Sequence, residues 1–225
     1  MDKPQRFELL AFDWDGTLFD STEAIVRSIQ ATCRDFSLPE PSDKQASYVI
    51  GLELSQGLRH FIPGIPDEEI PALVSCYRKH YLAVDQNIPL FPGVKEMIED
   101  LHTRGFKLAV ATGKNRRGLE RAFASSGLGP YFTAVRCGDD CPSKPNPQML
   151  EELMRELAVP PDRTLMIGDT THDMQLAVNA GVSRLAVSYG AHTRAELIPL
   201  EPLACLDDVA QLTLWLKRNA GCDSN

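Results

Sequence analysis

FELLAFDWDGTLFD, residues 7–20, joins an apolar run to a pair of carboxylates. Phe7–Phe12 reads as a buried strand of a parallel sheet, bounded by turn residues. Asp13 and Asp15 then leave its carboxyl end, Gly16 lets the backbone turn sharply away, and Thr17 is placed to hydrogen-bond locally. In open α/β sheets this edge is where ligands bind. Two acids in such a crevice repel each other and take up protons unless a cation joins them. A hard divalent metal satisfies both and leaves one carboxylate free to attack an electrophile. Taken alone, the same residues also suit a solvated acidic turn.

Three downstream segments decide between these readings. Thr112-Gly113-Lys114 follows the apolar run Leu108–Ala111, and Lys144-Pro145 follows the loop Gly138–Ser143. After Thr164–Ile167 comes GDTTHD, which sets Asp169 and Asp173 four residues apart. Read as one helical turn, that spacing puts both on one face. The series Asp/Asp, Thr, Lys, Asp/Asp resembles the haloacid dehalogenase-like phosphohydrolase superfamily. It is most similar to the phosphoglycolate phosphatase-like branch, which inserts a helical cap after the first motif. The resemblance covers nearly the whole chain, and its specificity lies in the joint spacing.

The resemblance implies an α/β fold: a Rossmann-like parallel sheet with helices on both faces, plus an inserted all-helical cap. It implies a phosphatase for a small phosphorylated metabolite, phosphoglycolate-like, working through an aspartyl-phosphate. Asp13 is then the nucleophile, and Asp15 the acid for the leaving alcohol and later the base for water. Mg²⁺ is the implied cofactor, held by the Asp13 carboxylate, the Asp15 backbone carbonyl and the Asp169 carboxylate. Asp173 is expected to order a metal-bound water or Lys144. Thr112 and the backbone N–H groups near it, Gly113 included, would hold a phosphoryl oxygen. Lys144 would place a positive charge on the phosphate and on Asp13.

The rest of the chain fits that organisation. Ser21–Phe36 has a helical apolar period, and Asp43–Val49, Ser55–Phe61 and Asp67–Ala83 read as further helices. With no convincing strand between residues 20 and 88, this stretch reads as a helical insert, closed by IPLFPG at Ile88–Gly93. The expected domains are therefore a core of residues 1–19 and 89–225 and a cap of 20–88. Beyond Gly93 helices and strands alternate. The expected helices are Val94–Arg104, one capped by Asn115 and running through Ser126, one opened by Asn146-Pro147 and reaching Leu157, Asp173–Ala180 and Asp208–Arg218. The expected strands are Phe106–Ala111, Phe132–Arg136, Thr164–Ile167, Arg184–Val187 and a short edge at Ala204–Leu206. Such alternation with short connections implies right-handed crossovers of a parallel sheet.

At 225 residues with 43% hydrophobic and 24% charged content, the composition is that of a globular protein able to bury a sizeable core. The net charge of −8 argues against nucleic acid or an anionic membrane as a partner. An anionic substrate then needs local positive charge from a metal and particular lysines. No signal peptide or membrane span is evident, and the six scattered cysteines read as reduced thiols, so a cytoplasmic location is expected. Oligomeric state is not legible.

Among the remaining polar residues, His172 is expected to be exposed at a helix start, and Lys114 faces either the phosphate or solvent. Arg116 and Arg117 suit a solvated helix face, and Asp139 and Asp140 a polar loop. Arg78, His80 and Tyr81 lie near the return linker, where the family encloses its substrate. Haloacid dehalogenases and phosphonate hydrolases of the family lack the second motif aspartate, so Asp15 disfavours both. Sugar phosphomutases keep both aspartates and remain the alternative enzyme. A non-catalytic binding protein could lose Asp13, Lys144 or Asp169 freely, and all three are present.

Overall fold

The computed structural model describes residues 6–85 and 88–221. Six strands, β1 (Leu9–Phe12), β2 (Lys107–Ala111), β3 (Ala134–Arg136), β4 (Thr164–Gly168), β5 (Ser183–Val187) and β6 (Cys205–Leu206), form one sheet. All pairings are parallel and the order is β3-β2-β1-β4-β5-β6. The chain builds outward from β1 to β3, then returns to the other side of β1 as β4. The crevice of the fold therefore opens above β1 and β4. Phe12 pairs with Val110 on one side and Ile167 on the other, so Asp13, Ala111 and Gly168 follow at one level.

Side chains alternate between the sheet faces, and both faces are covered. Leu10, Phe12, Leu108, Val110, Leu165 and Ile167 join the core cluster of α5 (Val94–Thr103), α6 (Arg116–Ser126) and α10 (Val209–Asn219). The opposite face carries smaller residues, Ala11, Ala109, Ala111 and Ala134, which admit α7 (Gln148–Leu157) and α8 (Thr171–Asn179). Both helix layers bury apolar stripes, and that burial is the main stabilising term for the sheet.

Between β1 and α5 lie four helices and no sheet strand among the described residues: α1 (Thr22–Asp35), α2 (Asp43–Tyr48), α3 (Leu54–Phe61) and α4 (Ile70–Leu82). They hold their own apolar clusters, one around Ile25, Ile29, Val49 and Tyr81 and another around Leu58, Ile70 and Leu73. Ser42 and Gln45 start α2 with a reciprocal capping pair. The two segments that join these helices to the sheet run side by side, with Phe19 bridged to Leu90 and the Asp20 N–H donating to the Pro89 carbonyl at 3.0 Å.

Several element boundaries differ from expectation. The first strand starts at Leu9, because the Phe7 and Glu8 N–H groups donate instead to the Ala220 and Arg163 carbonyls. The third is shortened to Ala134–Arg136 by the turn at Gly129–Tyr131. The helix expected from Asp67 begins at Ile70, with Pro71 in its first turn. Asn146 is not an N-cap: Pro147 is, and the Asn146 side chain accepts from the Gln148 N–H at 3.0 Å. Helix α8 starts two residues before Asp173, on the cap residue Thr170. The four-residue α9 (Arg194–Leu197) was not anticipated. Cys33, Cys76, Cys137, Cys141 and Cys205 are free thiols, whereas Cys222 lies outside the described residues. Burial pushes the Cys141 thiol up to about 11, which keeps it protonated at neutral pH. No helix among the described residues is long and apolar enough to cross a membrane.

Candidate active site

The strand ends deliver Asp13, Thr112 and Asp169 to the crevice, and the loop after β3 delivers Lys144. Asp13, Lys144, Asp169 and Asp173 are all buried, with Lys144 only 1% exposed. The Lys144 Nζ donates to Asp13 Oδ1 at 2.8 Å and to Asp173 Oδ1 at 2.6 Å. Burial alone would lower the lysine's pKa, but the two carboxylates overcome it and hold Lys144 charged.

Helical spacing does not bring Asp169 and Asp173 together, contrary to the one-turn reading. Asp169 precedes α8, and Asp173 is the third residue of its first turn. Asp173 Oδ2 accepts from the Thr170 backbone N–H at 3.0 Å and the Thr170 hydroxyl at 2.7 Å. That capping box leaves Oδ1 aimed at Lys144.

Asp169 is fixed by other means. Its Oδ1 accepts from the Thr17 hydroxyl at 2.8 Å and its Oδ2 from the Ala191 N–H at 2.7 Å. The Thr17 contact is therefore long-range and not local. Gly16, at φ +85°, and Gly190 both press against the Asp169 carboxylate, and a Cβ at either would collide with it.

Asp15 stands across from this group. Its Oδ1 accepts from the Ser21 hydroxyl at 2.6 Å, and both oxygens accept from Lys114 Nζ at 2.9 Å. Lys114 thus faces the site, and it also reaches the Tyr81 hydroxyl of α4 at 3.2 Å. The Thr112 hydroxyl accepts from the Lys114 N–H at 3.1 Å, while Asn115 caps α6 as expected. Gly113 lies hard against the Gly51 and Leu52 carbonyls, which leaves no room for a side chain. The Glu53 N–H donates to the Ser143 hydroxyl at 2.9 Å, beside Lys144. Asp139 and Asp140 brace Arg116 and the Cys137 N–H, away from Lys144.

Three buried carboxylates, Asp13, Asp169 and Asp173, place one oxygen each within 4.8 Å of one another. Fully ionised, they would carry two negative charges in excess of the single Lys144 ammonium. Burial pushes Asp13 up to about 7, with Asp173 and Asp15 adding to the effect and Lys144 opposing it. Burial, Asp13 and Asp173 hold Asp169 well above the usual carboxylate range. Asp13 Oδ2 is buried without a hydrogen-bond partner. A hard divalent cation fits this donor set, because it removes the excess charge and uses the orphaned oxygen.

His172 corrects the sequence reading, since it is buried and not exposed. Its Nε2 lies 2.7 Å from the Tyr48 carbonyl oxygen, and His192 Nε2 lies 3.2 Å from the same atom. His192 Nδ1 accepts from the Thr171 N–H, so its proton sits on Nε2 and points at Tyr48. Nothing in the local sequence shows that the end of α2 arrives there. Burial lowers the pKa of both rings. As pH falls the unfolded chain is protonated first, so the stability these rings confer is full above about 6.5 and lost as pH drops through their lower folded values. Between pH 7 and 5, the melting temperature of the parent should therefore fall more steeply than that of His192→Gln. Parallel slopes would remove His192 from this linkage.

Tyr81, singled out near the return linker, does reach the site through Lys114, whereas Ser21, Thr17 and the Ala191 N–H were missed as site groups. Of these three, only Thr17, adjacent to the acidic pair, carried a signal that pointed there.

Comparison with known proteins places this site in context. The family profile described as haloacid dehalogenase-like hydrolase matches residues 10–187. The chain is 32% identical over 218 residues to a phosphoglycolate phosphatase from Vibrio vulnificus, covering 92% of this chain and 95% of that protein. It is 34% identical over 180 residues to the pyrophosphatase PpaX from Halalkalibacterium halodurans, covering 79% and 82%. The crystal structure of a hydrolase from Pseudomonas syringae superposes with a TM-score of 0.87 at 23% identity, covering 97% of this chain and 100% of that one.

Proposed function

The chain belongs to the haloacid dehalogenase-like hydrolases and is a phosphatase of that family, and from that premise we propose a Mg²⁺-dependent phosphomonoesterase working through an aspartyl-phosphate on Asp13. The observation that carries this reading is the Asp13 carboxylate: one oxygen is held by Lys144 and the other is buried without a partner at the sheet's ligand-binding edge. Asp13 attacks phosphorus, and Asp15 gives a proton to the departing oxygen. Asp15 then takes a proton from the water that attacks the same phosphorus, and Asp13 is released. Lys144 and Thr112, with the Gly113 backbone, hold the phosphoryl oxygens. Asp13, Asp169 and the Asp15 carbonyl would hold the metal, which when bound would supply charge neutralisation for the phosphoryl group. Asp173 positions Lys144.

The substrate is a small phosphorylated metabolite of the phosphoglycolate type. The phosphoglycolate and pyrophosphate named for the relatives support this reading, because each carries an anionic group on the leaving side. In the proposed division, residues 1–19 and 89–225 form the catalytic core and 20–88 a lid. The paired linkers at Phe19 and Leu90 and the contact of Gly51 and Leu52 with Gly113 support that division.

Two outcomes test the chemistry. Asp15→Ala should slow the phosphorylation step, read as single-turnover release of the alcohol, by about 10²–10⁴-fold for an alkyl phosphate, as expected for loss of acid catalysis. The loss should be much smaller for p-nitrophenyl phosphate, whose leaving group barely needs a proton. Equal losses on the two esters would remove Asp15 from the acid role. Mg²⁺ should raise the melting temperature, and more at pH 8 than at pH 6. Without metal, Asp13 with its pKa near 7 is protonated at pH 6 and stable to burial, but it is a destabilising buried anion at pH 8. A Mg²⁺ shift that is equal at both pH values, or larger at pH 6, would contradict Asp13 as a ligand.

A further inference from the structure

Between the helical insert and the sheet lies a cavity of about 730 Å³, reached from Asp15, Gly113, Lys114 and Ser143. That volume falls in the range of pockets that take ligands far larger than a two-carbon alcohol, ~300–1,000 Å³. Part of its wall is apolar, with Leu52, Leu54 and Tyr77 each half-buried against it. The wall also carries Arg78 and Arg117, both exposed. Among the described residues neither guanidinium has a carboxylate partner, in a chain whose net charge is −8. The acids that share the wall are engaged elsewhere. Glu53 accepts from the Gln56 N–H and the Ser55 hydroxyl, Asp139 accepts from the Arg116 N–H, and Asp15 holds Lys114.

Resting on the phosphatase reading, we propose that the substrate is a phosphomonoester whose leaving group has an apolar body and ends in a second anionic group. The phosphate lies at Lys144, the apolar body crosses Leu52, Leu54 and Tyr77, and the far anion meets Arg78 and Arg117. Phosphoglycolate would leave most of this cavity filled with water.

The test is a series of ω-carboxyalkyl phosphates lengthened from phosphoglycolate one methylene at a time, each matched to a methyl-terminated ester. kcat/KM should rise by up to about fourfold per methylene over the first few, the factor equivalent to ~0.8 kcal/mol per buried CH₂. The carboxylate should beat the methyl terminus at the longer lengths, and the ratio should fall towards one in Arg78→Ala/Arg117→Ala. Calorimetric binding of the matching non-hydrolysable phosphonates, with Mg²⁺ present, reads the same trend without turnover. A flat or falling length profile in both measurements overturns the inference, as does equality of the two termini. Absence of p-nitrophenyl phosphate turnover alongside a rising phosphonate profile would defeat the phosphatase chemistry and leave the ligand class standing.

Discussion

Asp13→Asn should abolish phosphatase activity, with a loss of about 10⁴-fold or more, the scale seen when a covalent nucleophile is removed. The carboxamide has the shape of the carboxylate, but its oxygen is a poor nucleophile and carries no charge for a metal. The fold should survive. Asp13 is a buried anion whose pKa burial has already driven up to about 7, so neutralising it relieves a cost at neutral pH. The Lys144 hydrogen bond can be kept by the Asn carbonyl oxygen, and Asp173 still pairs the ammonium at 2.6 Å. The metal-free melting temperature should therefore be unchanged or higher at pH 8. Activity above a trace in a correctly folded variant would remove Asp13 from the nucleophile's role.

Lys144→Met should be the most destabilising single change in the site. Lys144 is a fully buried side chain between two buried carboxylates, and its loss leaves Asp13 and Asp173 without a counter-charge. Breaking a buried pair from one side costs about 3–5 kcal/mol. For a chain of this size that corresponds to a fall in melting temperature of about 6–20 °C. The double variant Lys144→Met/Asp173→Asn should recover about 1–3 kcal/mol of this, because one of the stranded charges has gone with its partner. It should recover no activity, since the phosphate still lacks its cation. Additive losses in the double variant would show that Lys144 and Asp173 are not coupled.

The sheet, and the placement of Asp13, Thr112 and Asp169 at its edge, were legible because they rest on short-range patterns. Asp13, Thr112 and Asp169 follow apolar runs directly, and strand pairing sets their levels once Phe12 aligns with Val110 and Ile167. What the sequence did not carry was long-range placement. Thr17 reaches Asp169 across 152 positions, and Tyr48 meets His172 and His192 across 124 and 144. No local period encodes such contacts. Asp173 was assigned to the right neighbourhood for the wrong geometric reason, since a capping box and not a helical face aims it at Lys144. Lys114 was undecidable in sequence because its partner Asp15 lies 99 residues away.

The most direct test of the aspartyl-phosphate account is to trap the intermediate. Asp15→Asn lacks the base for the second step, so p-nitrophenyl phosphate should give a burst of nitrophenolate and leave the enzyme phosphorylated. After acid quenching, borohydride reduces an acyl phosphate to the corresponding alcohol, which peptide mass spectrometry locates. The account predicts homoserine at position 13 in proportion to the burst, and unmodified aspartate at positions 169 and 173. A stoichiometric burst with Asp13 unmodified, or with the reduced residue elsewhere, would contradict it.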